Sequence, residues 1–250
     1  MNIKMKFGAK RAEFPKVLKR KVYKMSKLIA VEGLDGSGKG TQSELLYKTL
    51  VERCENVKLL SFPDYDNPSS TLVKMYLDGE FGKKPGDVNA YAATMLFAAD
   101  RYASYKKFWQ AEYEREDTVI LANRYTTSNA IHQLCKLPKE QWEEFLTWLC
   151  DFEFGKLGLP APGLVIYLEV TPDVTLEYVR KRSAETGRKM DIHELDPEYM
   201  AHCYEAALYA AEKMGWVRIH CCDATGKKLL PIEEIHAMVL NAAEKYLERG

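Results

Sequence analysis

The stretch Gly33-Leu34-Asp35-Gly36-Ser37-Gly38-Lys39-Gly40-Thr41 decides the fold, because it stands between a run typical of a buried strand and a run typical of a helix. Glycines let backbone N–H groups converge on an anion without obstruction by Cβ atoms, and the helix that follows offers its positive end. Lys39 adds a point charge for the outer phosphates of a nucleotide. The stretch is predicted to bind phosphate, and its expected ATP-binding residues are Gly33, Gly36, Ser37, Gly38, Lys39, Gly40 and Thr41.

Short apolar runs alternate with longer segments of helical period throughout the chain, which favours a parallel sheet wrapped by helices. The runs are nearly continuous, as strands covered on both faces require. We therefore predict an α/β protein with a three-layer P-loop NTPase fold, in which helices flank a five-stranded parallel sheet. The predicted strands are 28–32, 57–62, 118–122, 164–169 and 216–221. The predicted helices are 39–53, 69–78, 87–115, 126–135, 139–154, 172–183, 196–214 and 231–249.

Composition excludes several classes of protein. The chain has 250 residues, 46% hydrophobic and 29% charged, which is typical of one globular domain. The longest apolar run, 163–170, is far shorter than the roughly 18 residues of a membrane-spanning helix, and no secretion signal is recognisable. Six cysteines without a CxxC pair or metal-ligand spacing are predicted to be reduced. We expect a cytoplasmic protein with no membrane partner.

The charges are distributed unevenly along the chain. Residues 1–27 hold ten basic side chains against one acidic, so the remaining 26 basic and 35 acidic residues give 28–250 a net charge of −9. A basic terminal block can be a nucleic-acid arm or an organelle address. We interpret it instead as a disordered extension before an initiator at Met25, with no nucleic-acid partner, and assign 28–250 to one domain that contains the phosphate-binding loop.

The phosphate-binding loop departs from the usual pattern at one position. Ser or Thr normally follows the lysine directly and holds Mg²⁺ with its hydroxyl, whereas this chain has Gly40 there and Thr41 one place later. Adenylate-kinase-type loops share this order, so ATP binding is still expected. Thr41 is the candidate Mg²⁺ ligand.

Further motifs suggest what receives the phosphate. They are Asp35 in the loop, Phe62-Pro63-Asp64-Tyr65, Leu96-Phe97-Ala98-Ala99-Asp100-Arg101, Asn123-Arg124-Tyr125-Thr126-Thr127-Ser128-Asn129, Thr171-Pro172-Asp173-Val174, Gly187-Arg188 and Cys222-Asp223-Ala224. In this order and spacing, from Lys27 to about Val239, the chain resembles the thymidylate kinases, which are P-loop nucleoside monophosphate kinases. The resemblance implies that ATP and dTMP react to ADP and dTDP with Mg²⁺ present.

The base-binding candidates combine chemistry with this resemblance. Phe97 and Arg101 are four residues apart on a predicted helix, so one can stack on a base while the other donates to its carbonyl. The alternative is a core phenylalanine and a surface charge. Asn129 offers a donor and an acceptor to the N3/O4 edge of thymine, or else caps a helix. The resemblance also implies that Phe62 and Tyr65 contact the substrate.

The candidates for the acceptor phosphate and sugar lie near the end of the third strand. Arg124 follows that strand directly, where open α/β sheets bind ligands, and its guanidinium can bind a phosphate through two hydrogen bonds. The resemblance implies that Asp35 accepts the sugar 3′-hydroxyl and that His132 lies beside the sugar, although His132 can also be an ordinary polar helix residue. Asn123 replaces the family's usual aspartate, which predicts slower turnover rather than none.

A basic segment is interpreted as a lid over ATP, at about 181–194. Members of the family with glycine at the place of Gly36 supply an arginine from the lid, so Arg182 and Arg188 are catalytic candidates together with Lys39 and Arg124. Arg188 is preferred, because Gly187 permits a hinge. The alternative for this segment is a charged helix end.

The helix around 90–105 has more small and aromatic residues than one sheet face requires, and the resemblance implies a homodimer that pairs through helices near it. Three alternative functions remain at this level: a nucleoside kinase, a kinase for another monophosphate such as dUMP, and an ATP-binding sensor without turnover.

Overall fold

The structure is a computed structural model that describes residues 27–53, 56–115, 117–187 and 189–248. Within these residues five strands form one parallel sheet: β1 Lys27–Gly33, β2 Val57–Ser61, β3 Val119–Asn123, β4 Leu164–Glu169 and β5 Val217–His220. Their order across the sheet is β2-β3-β1-β4-β5, and each neighbouring pair is parallel. The predicted fold class is confirmed.

The α-helices of the described residues are α1 Lys39–Val51, α2 Thr71–Leu77, α3 Ala90–Ser104, α4 Gln110–Tyr113, α5 Asn129–His132, α6 Trp142–Cys150, α7 Pro172–Thr186, α8 Pro197–Met214 and α9 Ile232–Leu247. Two π-helical turns, Tyr105–Trp109 and Asp151–Lys156, continue α3 and α6. Each described helix is too short or too polar to cross a membrane.

The central strands β1, β3 and β4 are buried on both faces along most of their length, which explains their continuous apolar runs, whereas the edge strands β2 and β5 are more exposed. Leu28 and Ala30 of β1 point into a core shared with α3, α5, α6 and α8. Ile29 and Val31 point into a second core shared with α1 and α9. Because alternate residues of a strand face opposite sides, the helices form one layer on each side of the sheet. Burial of apolar surface at about 25 cal/mol per Å² stabilises this arrangement.

Three predicted helices are broken in the structure. The segment predicted as a helix over 126–135 consists of a 3₁₀ turn, Thr126–Ser128, the short α5, and a second 3₁₀ turn, Leu134–Lys136. The helix predicted over 87–115 begins later, at Ala90 of α3, and passes through a π turn into α4. Asn89 caps the start of α3, because its side chain accepts a hydrogen bond from the Ala92 N–H at 2.8 Å. The helix predicted over 139–154 begins with a 3₁₀ turn and ends in a π turn, a feature frequent at functional sites.

Candidate active site

The carboxyl ends of β1, β2 and β3 border a cleft of about 440 Å³, a size that suits a small ligand. Most of the residues predicted to bind nucleotide line it: Asp35, Gly36, Gly38, Lys39, Gly40, Thr41, Phe62, Tyr65, Phe97, Arg101, Arg124, Asn129, His132 and Arg182. Gly33 and Ser37 belong to the loop but are not among the residues that line the cleft. Arg188 lies outside the described residues.

Two glycines give the loop between β1 and α1 its shape. Gly38 caps α1 with φ 83°, in the left-handed region that favours glycine. Gly36 has φ 87°, and a Cβ atom there would lie 2.4 Å from the backbone oxygen of Thr175 in α7. The loop can therefore pack under α7 only because residue 36 has no side chain.

Three charged side chains converge at the centre of the cleft. Lys39 Nζ lies 3.0 Å from Asp35 Oδ1, and Arg124 Nη2 donates to the same oxygen at 2.6 Å. Burial alone would raise the pKa of Asp35, but the charges of Arg124 and Lys39 outweigh burial and hold that pKa well below its usual value. Burial and the charge of Arg124 lower the pKa of Lys39 to about 8. The cluster thus concentrates positive charge where anions are expected.

The backbone at Arg124 has φ 66°, which is uncommon for a residue other than glycine. Its N–H donates to the Val31 carbonyl at 3.0 Å, which holds the residue at the end of β1. The following turn is fastened by the fully buried carboxylate of Glu32. That carboxylate accepts from the Tyr125 N–H at 2.9 Å and from the Ser128 hydroxyl at 2.7 Å. A buried carboxylate that sequence reasoning missed therefore shapes the turn that carries the guanidinium.

His132 is buried beside Arg124. Arg124 Nη1 lies 3.0 Å from His132 Nε2, and because a guanidinium only donates, Nε2 must accept. The Cys203 sulfur lies 3.6 Å from His132 Nδ1, and the His193 ring stacks on the His132 ring with centroids 5.5 Å apart. Burial, with the charge of Arg124, holds the pKa of His132 well below its usual value. His132 is therefore neutral and bound on both ring nitrogens, unlike an ordinary surface histidine.

The far end of the cleft brings together Phe97, Arg101 and Asn129. Arg101 is not a surface charge, because its side chain is 2% exposed and bonds the buried carboxylate of Glu153 through Nε at 2.9 Å and Nη2 at 2.5 Å. Asn129 does not cap a helix; its Nδ2 donates to Glu153 at 2.9 Å. This end offers hydrogen-bonding groups beside an aromatic ring, as recognition of a base requires.

The side chain of Gln133 is a further candidate that the sequence analysis missed. It is fully buried, lines the cleft, and neither Nε2 nor Oε1 has a hydrogen-bond partner among the described residues. Buried polar groups are nearly always paired, so an unpaired amide at the wall of a cleft points to a ligand. The sequence offered one indication of Gln133: it is four residues from Asn129, and residues at that spacing lie on the same face of a helix.

Residues near the lid also line the cleft. Arg182 forms an ion pair with Glu194, whose side chain is 2% exposed. Asp191 Oδ1 accepts from the backbone N–H groups of His193 and Glu194 at 2.9 and 3.0 Å. Burial and the nearby charge of Asp35 raise the pKa of Asp191 to about 6. Asp191 and His193 were not predicted as site residues, although the segment Asp191-Ile192-His193-Glu194 resembles the acidic segment that follows the lid in the family.

Oxygen atoms suited to a divalent cation stand on the loop side of the cleft. Thr41 and Asn123 both line it. Asn123 Nδ2 donates to the Ser61 hydroxyl at 3.1 Å, whereas Asn123 Oδ1 is buried and has no partner among the described residues. Hydroxyl and amide oxygens are ligands that Mg²⁺ accepts, so this donor set fits the ion.

The loop that binds phosphate lies between a parallel strand and a helix, and the largely buried guanidinium of Arg124 lines the same cleft. This arrangement defines a P-loop enzyme that handles two phosphorylated ligands. The thymidylate kinase family model matches residues 31–237. The chain belongs to the thymidylate kinase family.

Relatives agree in sequence and in fold. A thymidylate kinase of Mycobacterium tuberculosis is 33% identical over 192 residues, which are 76% of this chain and 87% of the relative. A thymidylate kinase of Plasmodium falciparum is 29% identical over 89% of this chain and 91% of its own. The thymidylate kinase structure from Candida albicans has the same fold, with a TM-score of 0.62 at 21% identity, over 88% of this chain and 92% of that one.

Proposed function

We propose that the chain transfers the γ-phosphoryl group of ATP to dTMP and so forms ADP and dTDP. The observation that supports this proposal is that Lys39 and Arg124 both bond Asp35, because transfer needs a lysine at the donor phosphates and an arginine at the acceptor phosphate to lie close together. Phosphoryl transfer depends mainly on positioning and charge neutralisation, and two buried cations serve both. The relatives named above support the choice of acceptor.

The donor is ATP, held by the loop amides and by Lys39. Thr41 and Asn123 are the residues that would hold Mg²⁺. When bound, the ion neutralises charge on the phosphates. Lys39 Nζ donates to the Leu34 carbonyl at 3.1 Å and to Asp35 at 3.0 Å, so the loop holds the ammonium group in place before a ligand binds.

The acceptor lies on the opposite side of the cluster. Arg124 binds the dTMP phosphate, and Asp35 accepts the sugar 3′-hydroxyl. His132 holds Arg124 and lies beside the sugar. Phe62 and Tyr65 also line the cleft and contact the substrate.

The thymine ring is bound at the far end of the cleft. Phe97 stacks on it, and Arg101 and Asn129 bond its O4 and N3 edge. Gln133 adds an amide that has no protein partner within the described part of the chain, so it is free to bond the base.

A lid at about 181–194 supplies an arginine to the transferring phosphoryl group. Arg188 is the preferred residue, and Arg182 is the second candidate. The ion pair of Arg182 with Glu194 supports this order, because that guanidinium already has a buried partner.

A panel of acceptors tests the function. With ATP and millimolar Mg²⁺, coupled ADP release should be fast for dTMP, slower for dUMP, much slower but measurable for dCMP, and at background for dGMP and thymidine. Background rates with every monophosphate would refute the proposal, and turnover of thymidine in place of dTMP would reassign the chain as a nucleoside kinase.

We propose further that the enzyme is a homodimer. Tyr91, Met95 and Tyr102 are exposed and lie at spacings of four and seven residues on α3, so they form one apolar stripe. Light scattering should give twice the chain mass, and Met95→Glu should give the monomer mass. A monomeric wild type would contradict the assignment.

The domain limits and the compartment are likewise proposals. Residues 28–250 act as one kinase domain in the cytoplasm, where the cysteines stay reduced; those among the described residues are free thiols. The basic segment 1–27 lies almost wholly outside the described residues, and we propose that it takes no part in catalysis. Removal of residues 1–24 should leave kcat and the KM for dTMP unchanged.

A further inference from the structure

Glu153 is a fully buried carboxylate that no catalytic step of the proposed reaction uses. It lies in the π turn Asp151–Lys156 that follows α6. Glutamate is almost never fully buried unless it is paired, and π turns are frequent at functional sites. The partners of this carboxylate therefore indicate its purpose.

Both partners of Glu153 are base-binding candidates. Arg101 donates to it from Nε at 2.9 Å and from Nη2 at 2.5 Å, while Asn129 donates from Nδ2 at 2.9 Å. Asn129 Nδ2 and Arg101 Nη2 share the single oxygen Oε1. One carboxylate thus holds two side chains that reach it from different helices, α3 and α5.

The chemistry of a carboxylate decides which way the Asn129 amide points. An ionised carboxylate only accepts hydrogen bonds, so it can take the NH₂ group of Asn129 but not its carbonyl oxygen. Asn129 Oδ1 is then directed elsewhere, and Arg101 keeps Nη1 for another partner; neither atom has a hydrogen bond within the described residues. The cleft wall therefore offers an acceptor beside a donor.

That order of acceptor and donor matches one class of pyrimidine. Thymine and uracil present a donor at N3 and an acceptor at O4, whereas cytosine presents an acceptor at N3 and a donor at N4. Cytosine in the same position would set acceptor against acceptor and donor against donor. Each such reversal costs roughly 10- to 100-fold in affinity, because the buried groups are left unpaired.

We propose that Glu153 is a positioning residue that makes the cleft selective for 4-keto pyrimidine nucleotides over cytosine nucleotides, by orienting the amide of Asn129. This inference rests on the proposed function, and it names a selectivity device within that site. Because uracil and thymine share the same edge, Glu153 takes no part in discrimination of the 5-methyl group.

The test compares three acceptors in wild type and in Glu153→Gln. A glutamine at 153 can donate to Asn129 Oδ1, so the Asn129 amide is free to turn and present its NH₂ group to the ligand. We expect the ratio of kcat/KM for dTMP to that for dCMP to fall at least tenfold. The ratio for dTMP to dUMP should stay within twofold, because both bases have the same edge.

Glu32→Gln is the matched control. Glu32 is an equally buried carboxylate near the cleft, but its partners are Tyr125, Thr127 and Ser128 rather than the base-binding residues. This variant should have lower activity and lower stability, but the ratio of kcat/KM for dTMP to that for dCMP should not change. A general loosening of the site would lower that ratio in both variants, and such a result overturns the proposal.

The remaining outcomes are also decisive. If Glu153→Gln loses activity with dTMP and dCMP in proportion, the positioning role is refuted while the kinase function stands. If the wild type phosphorylates none of the three acceptors, the proposed function itself fails. Should Glu153→Gln not fold, Asn129→Ala takes its place: the dTMP to dCMP ratio must again fall at least tenfold, and an unchanged ratio refutes the inference.

Discussion

Replacement of Arg124 tests the central contact of the proposed mechanism. The guanidinium is 14% exposed and is held by Asp35 at 2.6 Å and His132 at 3.0 Å, so it is positioned before any ligand arrives. Two hydrogen bonds from it to the acceptor phosphate, each worth about 1.5–3 kcal/mol, amount to roughly 3–6 kcal/mol. One tenfold step is about 1.4 kcal/mol, so Arg124→Met should lower kcat/KM for dTMP by about 10²- to 10⁴-fold.

Arg124→Lys separates charge from geometry. A lysine keeps the positive charge but cannot form the paired hydrogen bonds of a guanidinium, so a loss of one bond, about 10- to 100-fold, is expected. Coupled ADP release over a range of dTMP concentrations measures both variants. Arg218→Met is the control, because Arg218 of β5 bonds Glu169 at the end of β4, is not among the residues that line the cleft, and should keep wild-type kinetics.

One result would refute this reasoning. If folded Arg124→Met, verified by its circular dichroism and melting curve, keeps more than a tenth of the wild-type kcat/KM for dTMP, then Arg124 does not hold the acceptor phosphate. Arg124→Met also removes the ion pair with Asp35. That loss alone does not explain a lower kcat/KM in a folded variant, because Lys39 still pairs with Asp35 at 3.0 Å.

Three further outcomes are expected. The free energy of unfolding should fall on acidification, because folding lowers the pKa of His193 to about 3 and holds that of His132 well below 6.5. Each histidine then costs about 1.4 kcal/mol of stability per pH unit below pH 6.5. The pKa of Asp191 is raised to about 6 in the folded protein, so its protonation offsets the loss from one histidine between about pH 6 and 4. Urea unfolding at pH 7, 6 and 5 measures this, and a constant free energy of unfolding would contradict it. Arg188→Met should lower kcat by about 10³-fold with little change in the KM for dTMP, and an unchanged kcat would remove Arg188 from the transition state. Asn123→Asp should raise kcat about fivefold at saturating Mg²⁺, because an ionised oxygen makes stronger contacts than the amide; an equal rate would mean that other groups hold the ion.

The strands were predictable almost to the residue. The prediction 164–169 coincides with β4, and 216–221 exceeds β5 by one residue at each end. The run of β4 is nearly all apolar because that strand is covered on both faces, whereas in the exposed edge strand β5 the apolar Val217 and Ile219 alternate with Arg218 and His220. Helix continuity was less predictable: Thr127 and Ser128 donate their hydroxyls to Glu32, a partner far away in the sequence, and the chain there forms a 3₁₀ turn rather than a regular helix.

The sequence by itself determined the phosphate-binding loop and its lysine, because a loop that binds anions through its own backbone needs only contiguous residues. Tertiary structure alone decided how the end of the cleft around Arg101 and Asn129, the proposed base site, is built. Arg101 and Glu153 are 52 residues apart, and the buried carboxylate, not the local sequence, sets the direction of the Asn129 amide. Gln133 and His132 likewise acquire their chemistry from burial and from neighbours brought in by folding; the sequence predicted the position of His132 beside the sugar but not its contact with Arg124.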